Sequence, residues 1–521
     1  MAETVPAAPT SGRPSARAWL GPLVVFGVAL AGLGLLLQRV PYGDGILLEF
    51  ALGKRIVSYH HLTYLLAVTG WADLCEAVGA GRHGAYYLWS AVAAAGGLAA
   101  LWATMAELRR GAVAGLAGGG GGLGDLSALL LVATTPALLF FGTTLENPAH
   151  HLGCTALAML LVVLALRRDT PSRWLAAGLA CLLVVTSHAS GLALMPLMGL
   201  LALWRSGRAP LRDGVEGSLL RLALLAAPVL AFRLGEQPLR AWLFAGQGVT
   251  AEDPASNQLR WLLSHRPGLG EVVDHLVVEV CTPYFGLVLA TLAACVVLLR
   301  RGRGRFVGLA VLGIGLHVGL FVLYGVRERG AYGLPVSLFA ALLVQVALGA
   351  ARPAALARAA VLVLAVAQLV AGVHAVRAYP TEKADPPWQW AARCATALGP
   401  EAPGGGATVL VADLFRGMHL EVDHDVRMIH VPSFLDLYTR GLAELVQGGA
   451  SVAEREAFGQ RFLGECRTRI LELEGRGTLW VTGDCAQVIR EVFPPLHGWM
   501  FGQTGWEERN GGGIKLFCHR R

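Results

Sequence analysis

Two carboxylates stand just after the first apolar run of the chain, where they could take part in catalysis. Asp44 and Glu49 lie in the stretch VPYGDGILLEF (40–50), which follows apolar residues that end near Leu37. A carboxylate at the edge of a membrane could be the general base of an enzyme whose substrate is a lipid. Asp44 could also be a simple N-cap, because Asp is favoured there and the helix dipole stabilises its charge.

Histidine and tyrosine side chains follow in the same segment, and another histidine lies inside a later apolar run. His60, His61 and Tyr64 belong to the stretch HHLTYLL and could hydrogen-bond a polar substrate. His188, in VTSHASG, interrupts a pair of short hydrophobic segments. Polar residues at such a depth face the interior of a bundle or a cavity. His188 therefore either lines a substrate path or bonds a neighbouring helix.

A short polar turn, TTLENPAHH (143–151), brings a third carboxylate close to two histidines. Glu146, His150 and His151 are near neighbours in this turn. Such a turn could supply metal ligands or a second acid to an active site. The alternative is a capped turn in which Pro148 begins the next helix.

Two arginines lie in the stretch YGVRERGAYGLP (324–335), at the end of a late apolar run, and Tyr332 follows them. Arg327 and Arg329 suit a phosphate group, because a guanidinium is always charged and can bind phosphate through two hydrogen bonds. Both could instead anchor the chain at the membrane interface by extending their charged ends toward water.

The composition predicts that these residues are positioned by helices in a membrane. The sequence is 55% hydrophobic and 15% charged, with a mean hydropathy of +0.54, whereas soluble domains carry about 25% charged residues. The net charge of +7 comes from basic clusters between apolar runs and argues against nucleic-acid binding. The pattern predicts a mainly α fold with about eleven transmembrane helices. They are expected near residues 19–38, 84–106, 126–143, 151–166, 174–188, 191–204, 219–235, 277–299, 306–325, 333–350 and 357–377.

The basic clusters predict how the bundle, residues 19–377, is oriented. Clusters such as Arg109-Arg110 and Arg300-Arg301 fall in every second loop. The positive-inside rule then places these clusters and the N-terminal tail, 1–18, on the cytoplasmic side of a bacterial-type inner membrane. The remaining loops, including a long first loop at 39–83, are extracytoplasmic. The first helix is expected to be uncleaved, because its apolar run is too long for a signal peptide.

A small extracytoplasmic α/β domain is predicted over residues 378–521, where the composition changes. The stretch HLEVDHDVRMIH (419–430) predicts a polar loop entering a strand rather than a metal site. Four cysteines lie in this domain, and outside the cytoplasm they could form two disulfides. They are Cys394, Cys466, Cys485 and Cys518. Strands are predicted at 407–414, 426–432 and 478–484, and helices at 454–473 and 486–492.

These features resemble the GT-C superfamily, the polytopic glycosyltransferases that use polyprenyl-phosphate sugars. Within it, the sequence is similar to bacterial protein O-mannosyltransferase-like membrane proteins with an early GDSGE…HPPGYP pattern. Leu47 stands where that pattern has its glutamate. The residues that match motifs of the superfamily are Asp44, His60, Tyr64, Glu146, Arg329, Tyr332 and Pro335.

The resemblance implies that a sugar passes, with inversion, from a polyprenyl-phosphate donor to an extracytoplasmic acceptor, which is a protein, a lipid or a glycan. Asp44 would be the base, and Arg327 with Arg329 would stabilise the leaving phosphate. The resemblance requires no cofactor, although a divalent cation could bind beside Glu146. Substrate-binding roles would fall to Glu49, His60, His61, Tyr64, Glu146, His150, His188, Arg327, Arg329 and Tyr332.

Two other classes of protein are compatible with the sequence. A transporter or flippase of a lipid-linked or anionic substrate would use the same polar residues without a base. A non-catalytic assembly protein would use the bundle only as an anchor. No internal repeat is visible in the sequence, and the long first loop with the C-terminal domain favours the enzyme.

Overall fold

A computed structural model describes most of the chain, which forms two compact units. The helical unit holds the described residues of Met1–Gly43 and Arg55–Ala378, and the sheet unit holds those of Asp44–Lys54 and Tyr379–Arg521. Helix α1 (Arg17–Leu35) lies in the helical unit, whereas the next helix, α2 (Gly45–Gly53), lies in the sheet unit. The described residues are 17–38, 42, 45–53, 61–110, 121–203, 215–243, 267–325, 328–381, 386–401, 406–511 and 513–519.

The helical unit is an integral membrane structure. Within the described residues, six helices are long and apolar enough to cross a membrane, or seven if one bent pair counts as a single span. Four shorter apolar helices lie at other predicted positions, so the total of eleven spans stays a prediction. Besides α1, the helices of this unit are α3 (Leu62–Ala77), α4 (Arg82–Arg109), α5 (Gly121–Ala133), α6 (Pro136–Phe141), α7 (Pro148–Arg167), α8 (Pro171–Ser187), α9 (Met195–Ala202), α10 (Val215–Leu243), α11 (Leu269–His275), α12 (Phe285–Arg300), α13 (Gly304–Tyr324), α14 (Leu334–Ala350) and α15 (Ala354–Ala378).

Two of the predicted helices are interrupted in the structure. The segment predicted at 126–143 divides into α5 and α6, because Pro136 has no N–H group to continue the first helix and Thr135 caps the second. The segment predicted at 277–299 is divided in two. Helix α11 runs into a π-helical turn, Leu276–Cys281, and α12 begins at Phe285. The chain bends by 98° between these two helical stretches, which are called the bent pair below.

Part of the predicted first loop, 39–83, is helical. Helix α3 packs against α4, with which it shares three polar contacts. The Trp71 indole donates to the Ala85 carbonyl at 3.1 Å, and Arg82 pairs with Asp73 and Glu76. Apolar residues of α3 are exposed as well as buried, so its sequence shows no clear apolar stripe that would mark the helix.

Small residues allow two central helices of the helical unit to approach each other closely. Helix α4 contacts α7 near Gly97 and Gly153. A Cβ atom on Gly153 would lie only 2.9 Å from the Ala93 carbonyl oxygen. Close packing through glycine is a common way to join helices in membranes. The contact fixes the start of α7, which carries His150 and His151.

A five-stranded mixed sheet forms the centre of the sheet unit, with strand order β2-β1-β3-β5-β4. The first three strands in this order are parallel, and β5 is antiparallel to both of its neighbours. Helices connect the parallel strands, as crossover connections require. The elements of the unit after α2 are α16 (Pro387–Leu398), β1 (Ala407–Val411), α17 (Leu414–His424), β2 (Arg427–His430), α18 (Val431–Gln447), α19 (Val452–Glu474), β3 (Thr478–Thr482), α20 (Gly483–Val492), α21 (Pro494–Phe501), β4 (Trp506–Gly511) and β5 (Ile514–His519).

The three strands and two helices predicted in this region are confirmed, but one predicted loop is wrong. The stretch 419–430 contains the end of α17, which begins with Asp413 as N-cap and presents a buried His419. His419 Nδ1 is 2.8 Å from Asp423 Oδ2, one helical turn away. His419 and Asp423 therefore pair along one face of a helix. Their separation of four residues in the sequence is compatible with such a pair.

The two faces of the sheet pack against separate hydrophobic cores. Val481 of β3 joins one core and its neighbour Trp480 joins the other, as expected for a strand that is buried on both sides. All nine cysteines of the chain are described and are thiols, so the expected disulfides are absent. Cys466 lies in one core and Cys394 in the other. Burial raises the pKa of each of these two thiols to about 12.

Candidate active site

Polar and aromatic side chains gather in the helical unit where the start of α3, the first turn of α7, the end of α8 and the segment before α14 meet. Most of them are buried. Histidines dominate the group, which is called the histidine cluster below. Its members are His61, Tyr64, Asn147, His150, His151, Ser187, His188, Ser190 and Tyr332.

Asn147 links three of these segments through its side-chain amide. Its Nδ2 atom donates to Nδ1 of His61 at 2.8 Å and to the main-chain oxygen of Ser187 at 2.8 Å. Because His61 accepts through Nδ1, its neutral ring carries the proton on Nε2. Asn147 precedes Pro148, the first residue of α7. The start of α7 is therefore joined to both α3 and α8.

A chain of hydrogen bonds continues from this point through two serines. His151 Nδ1 lies 2.7 Å from Ser187 Oγ, and His151 Nε2 lies 3.3 Å from Ser190 Oγ. Ser190 Oγ lies 2.7 Å from Nδ1 of His188. Both ring nitrogens of His151 and the hydroxyls of both serines thus have polar partners, which lowers the cost of burying them.

Ring contacts extend the cluster toward the segment before α14. The centroid of His188 lies 5.7 Å from His61 and 5.5 Å from Tyr332. Tyr64 meets His150 edge-on with centroids 5.7 Å apart. These aromatic faces could stack against a sugar or a lipid head group, and the ring nitrogens could bond its hydroxyls.

The guanidinium of Arg329 lies over two aromatic rings. Its Cζ atom is 5.4 Å from the ring centroid of Tyr42 and 5.0 Å from that of Phe140, within the range of cation–π attraction. The backbone φ of Arg329 is 49°, in the left-handed region, which costs a residue with a side chain about 1 kcal/mol or more. Such strain is often found where a ligand is bound.

The phenol of Tyr42 marks the point where several charges meet. Burial raises the pKa of Tyr42 to about 12, and the positive charge of Arg329 opposes that shift. The negative charges of Glu328, Glu279 and Glu146 add to it. Arg329 and Glu146, which are far apart in the sequence, therefore act on one position in the helical unit.

A small pocket lies beside Tyr332 and the bent pair of helices. Its volume of about 20 Å³ is enough for roughly one water molecule. Polar groups on its wall come from His275, Glu279 and His317, and all three side chains are buried. His317 Nε2 also lies 2.9 Å from the Tyr332 carbonyl oxygen. The pocket therefore connects the histidine cluster to α11 and α13.

The residues expected to form the site are only partly brought together. His61, Tyr64, His150, His188 and Tyr332 lie in the histidine cluster, as the contacts above describe. Glu146 is buried beside Asn147, and Arg329 and Glu146 both influence Tyr42.

Other expected site residues lie elsewhere. Glu49 belongs to α2 and hence to the sheet unit, where it is buried. Asp44, His60 and Arg327 fall outside the described residues.

Several residues of the site were not expected from the sequence. The most central of them is Asn147. Its position before Pro148 indicates the start of a helix, and nothing in the local sequence indicates its bonds to His61 and Ser187. Glu279 and His317 are polar residues within apolar stretches, a pattern that does mark functional positions in membranes. Tyr42 gave no signal, because an aromatic residue near a membrane interface is common.

The site is equipped for an anionic, hydroxyl-rich ligand. Arg329 supplies a permanent positive charge that suits a phosphate, and the histidine cluster supplies neutral hydrogen-bonding groups. Within the described part of the chain, no group of three or more His, Cys, Asp or Glu side chains is arranged to hold a metal ion.

Comparison with known proteins shows the fold. A crystal structure of ArnT from Cupriavidus metallidurans bound to undecaprenyl phosphate has a TM-score of 0.57 at 13% sequence identity, over 97% of this chain and 98% of that one. The same protein in the apo state gives 0.53 at 12% identity, over 95% and 97% of the two chains. The GT-C-like fold that the sequence led us to expect is thereby confirmed. No protein-family model and no curated protein sequence matches the chain.

Proposed function

We propose that this protein is a membrane glycosyltransferase that uses a polyprenyl-phosphate sugar as donor and an extracytoplasmic acceptor. The observation that carries the proposal is that the segment before α14 carries both Arg329 and Tyr332, a member of the histidine cluster, in a GT-C fold. The guanidinium is held over Tyr42 and Phe140, and hydrogen-bonding side chains contact His188 in the cluster. A solved relative of this fold, ArnT, binds undecaprenyl phosphate.

The reaction is a direct displacement at the anomeric carbon, and it inverts the configuration. A bond forms between an acceptor oxygen and the anomeric carbon while the bond from that carbon to the phosphate oxygen breaks. Asp44 takes the proton of the acceptor hydroxyl, and polyprenyl phosphate leaves as the anion. Arg329, with Arg327, stabilises the charge on the departing phosphate.

The remaining residues bind and orient the substrates. His61, Tyr64, His188 and Tyr332 contact the sugar or the head group, since their rings and nitrogens lie together in the histidine cluster. Glu146 with His150 orients the acceptor.

The proposal includes the topology of the chain. The protein spans a bacterial-type inner membrane, with its N-terminus in the cytoplasm and its sheet unit on the extracytoplasmic side. The distribution of basic residues predicts this orientation.

Purified protein in lipid nanodiscs provides the test. We expect the wild-type protein to bind undecaprenyl phosphate and to transfer sugar from one of a panel of undecaprenyl-phosphate sugars to a cell-envelope acceptor. Asp44→Asn should abolish transfer and leave the lipid affinity and the amount of protein in the membrane unchanged. Full activity in Asp44→Asn would remove Asp44 as the base.

Arg329 is tested by separating the donor from the acceptor. Arg329→Ala should raise the KM for the donor by about 10- to 100-fold, because a charge-assisted bond to phosphate is lost, with little change in the KM for the acceptor. Equal effects on both substrates would make Arg329 a structural anchor. Arg358→Ala is a suitable control, since this guanidinium bonds its own helix through the Ala354 carbonyl.

A transporter of lipid-linked or anionic substrates is the second candidate, and the bent pair of helices favours it. Interrupted helices line the substrate sites of many transporters, and α11 and α12 are bent by 98° at such a break. A transporter would move labelled undecaprenyl phosphate across proteoliposomes without forming a glycosylated product. Its activity would also survive Asp44→Asn.

A further inference from the structure

We propose that Glu279 is a positioning residue that holds Arg329 in place for the donor phosphate. The inference rests on the proposed function, because Glu279 acts through Arg329. Glu279 lies in the π-helical turn Leu276–Cys281 of the bent pair and is buried. Acidic residues in such apolar segments are costly and usually have a specific role.

One oxygen of Glu279 binds the main chain on both sides of Arg329. Its Oε2 atom accepts from the N–H of Glu328 at 3.1 Å and from the N–H of Gly330 at 2.7 Å. Hydrogen bonds from N–H groups to a carboxylate are stronger than those between neutral groups. The carboxylate therefore fixes the main-chain N–H groups of Glu328 and Gly330, the two residues on either side of Arg329.

A second contact holds the same segment from the other end of the break. The Tyr284 hydroxyl donates to the Gly330 carbonyl oxygen at 2.5 Å. Gly330 has a φ of +81°, and a Cβ atom there would lie 2.7 Å from Cβ of Pro283. Only glycine fits this position without a shift of the neighbouring segment, so the break and the segment before α14 are built to fit each other.

The contacts account for the unusual backbone of Arg329. A residue with a side chain adopts a φ of 49° only when its surroundings impose that conformation. Here the N–H groups of the residues on both sides of Arg329 are bound by Glu279. The resulting conformation directs the guanidinium over Tyr42 and Phe140. Loss of the carboxylate should let Arg329 relax and leave this position.

Hydrogen exchange tests the contact without any ligand. In Glu279→Ala, the Glu328 and Gly330 amides lose their acceptor, so exchange in the segment 328–333 should be about tenfold faster or more. Glu279→Gln retains a side-chain oxygen and should give a smaller increase of about threefold. This second variant serves if Glu279→Ala does not accumulate. Unchanged exchange in the variant that accumulates would overturn the proposal.

Glu271→Ala is the matched control for the hydrogen-exchange experiment and for the measurement of lipid affinity. Its carboxylate also accepts from a main-chain N–H, that of Gly268 at 2.9 Å, and it belongs to α11, the helix that runs into the turn of Glu279. Glu271 is exposed, and its bond closes the start of its own helix. Exchange in 328–333 and the affinity for undecaprenyl phosphate should both stay at the wild-type level in this variant.

A double-mutant cycle tests whether Glu279 acts through Arg329. Glu279→Ala should weaken binding of undecaprenyl phosphate by about tenfold, and the variant with both Glu279→Ala and Arg329→Ala should bind no more weakly than Arg329→Ala alone. A purely structural role would make the two effects multiply, and that result would overturn the inference.

The outcomes separate this inference from the proposed function. If the wild-type protein neither binds undecaprenyl phosphate nor transfers sugar, the function is wrong, and a faster exchange in Glu279→Ala would show that the contact is real but serves another ligand. If the wild-type protein binds and Arg329→Ala binds measurably more weakly, multiplying effects in the cycle contradict only the role of Glu279.

Discussion

Asn147 shows how much the arrangement of the candidate site depends on a single amide. Both N–H groups of its side chain are used, one for His61 and one for the main chain of Ser187. A carboxylate of the same shape could donate to neither, because it carries no hydrogen. The side chain is buried, so water cannot replace the lost bonds at low cost.

We therefore predict that Asn147→Asp destabilises the protein and reduces transfer. The expected loss is about 1–3 kcal/mol for a buried network that has lost two hydrogen bonds, seen as a lower Tm in detergent micelles. Ser90→Ala is the control, because its hydroxyl makes only a long bond of 3.4 Å to the Glu146 carbonyl oxygen. That variant should change stability by no more than about 0.5 kcal/mol. Equal effects from the two substitutions would show that Asn147 is not a special link.

Residue types alone allowed part of the site to be predicted. His188 is a candidate because polar residues are scarce in apolar segments, whereas His61 and His150 are candidates because they lie in polar loops beside carboxylates. Asn147 lies in the turn that could also be a capped helix start, and the local sequence cannot show which distant groups an amide meets. Glu279 was not chosen, because its partners are peptide groups of a segment that lies far along the chain.

At the scale of elements, the approach of α4 to α7 fixes where the histidines of α7 stand. The helices touch where Gly97 meets Gly153, and no side chain separates their backbones. Without a strong hydrophobic drive between helices in lipid, such close packing supplies much of the attraction. Any atom added at this contact must move one helix.

Gly153→Ala should accordingly destabilise the bundle, by about 1–3 kcal/mol. Its Cβ atom would meet the Ala93 carbonyl oxygen at 2.9 Å, and that backbone atom belongs to a long helix that cannot yield locally. Gly96→Ala on α4 is the matched control, because a Cβ atom there has nothing within 4 Å. Thermal unfolding of the two variants decides the point, and a Tm for Gly153→Ala equal to that of Gly96→Ala would count against this contact.

The positions of long apolar helices could be predicted, but their interruptions could not. Hydropathy located α7, α14 and α15, because a membrane demands a run of apolar residues of a given length. Because hydropathy is averaged over a window of residues, it joined α5 to α6 across Pro136. It also passed over α3, whose apolar residues are interrupted by Thr63, Thr69, Asp73 and Glu76.

For the whole molecule, one short helix from the predicted first loop groups with the C-terminal elements. Residues 45–53 stand between two membrane segments in the sequence, yet α2 contacts α17 and belongs to the sheet unit. Ile46, Leu48 and Leu52 of α2 are buried. Burial of each contributes about 1.5–3 kcal/mol. The GT-C fold itself was foreseen from topology and short motifs, and it is shared with ArnT at 13% identity.

Removal of the C-terminal part should therefore harm more than the sheet unit. A chain that ends at Ala378 retains α2 but lacks α17, so the apolar face of α2 loses its partner. We expect this truncated protein to reach the membrane in a much smaller amount than the full chain, measured by immunoblot of membrane fractions. Replacing Ile46, Leu48 and Leu52 with serine in the truncated chain should restore part of that amount. Truncated protein at the wild-type level would contradict the prediction.

The membership of α2 in the sheet unit also orders events during synthesis. The ribosome delivers α2 before the membrane helices that follow it, whereas α17 and the strands emerge only after α15. The sheet unit thus cannot be completed until the helices through α15 have been synthesised. During that interval, the apolar residues of α2 lack the helix against which they pack in the folded protein.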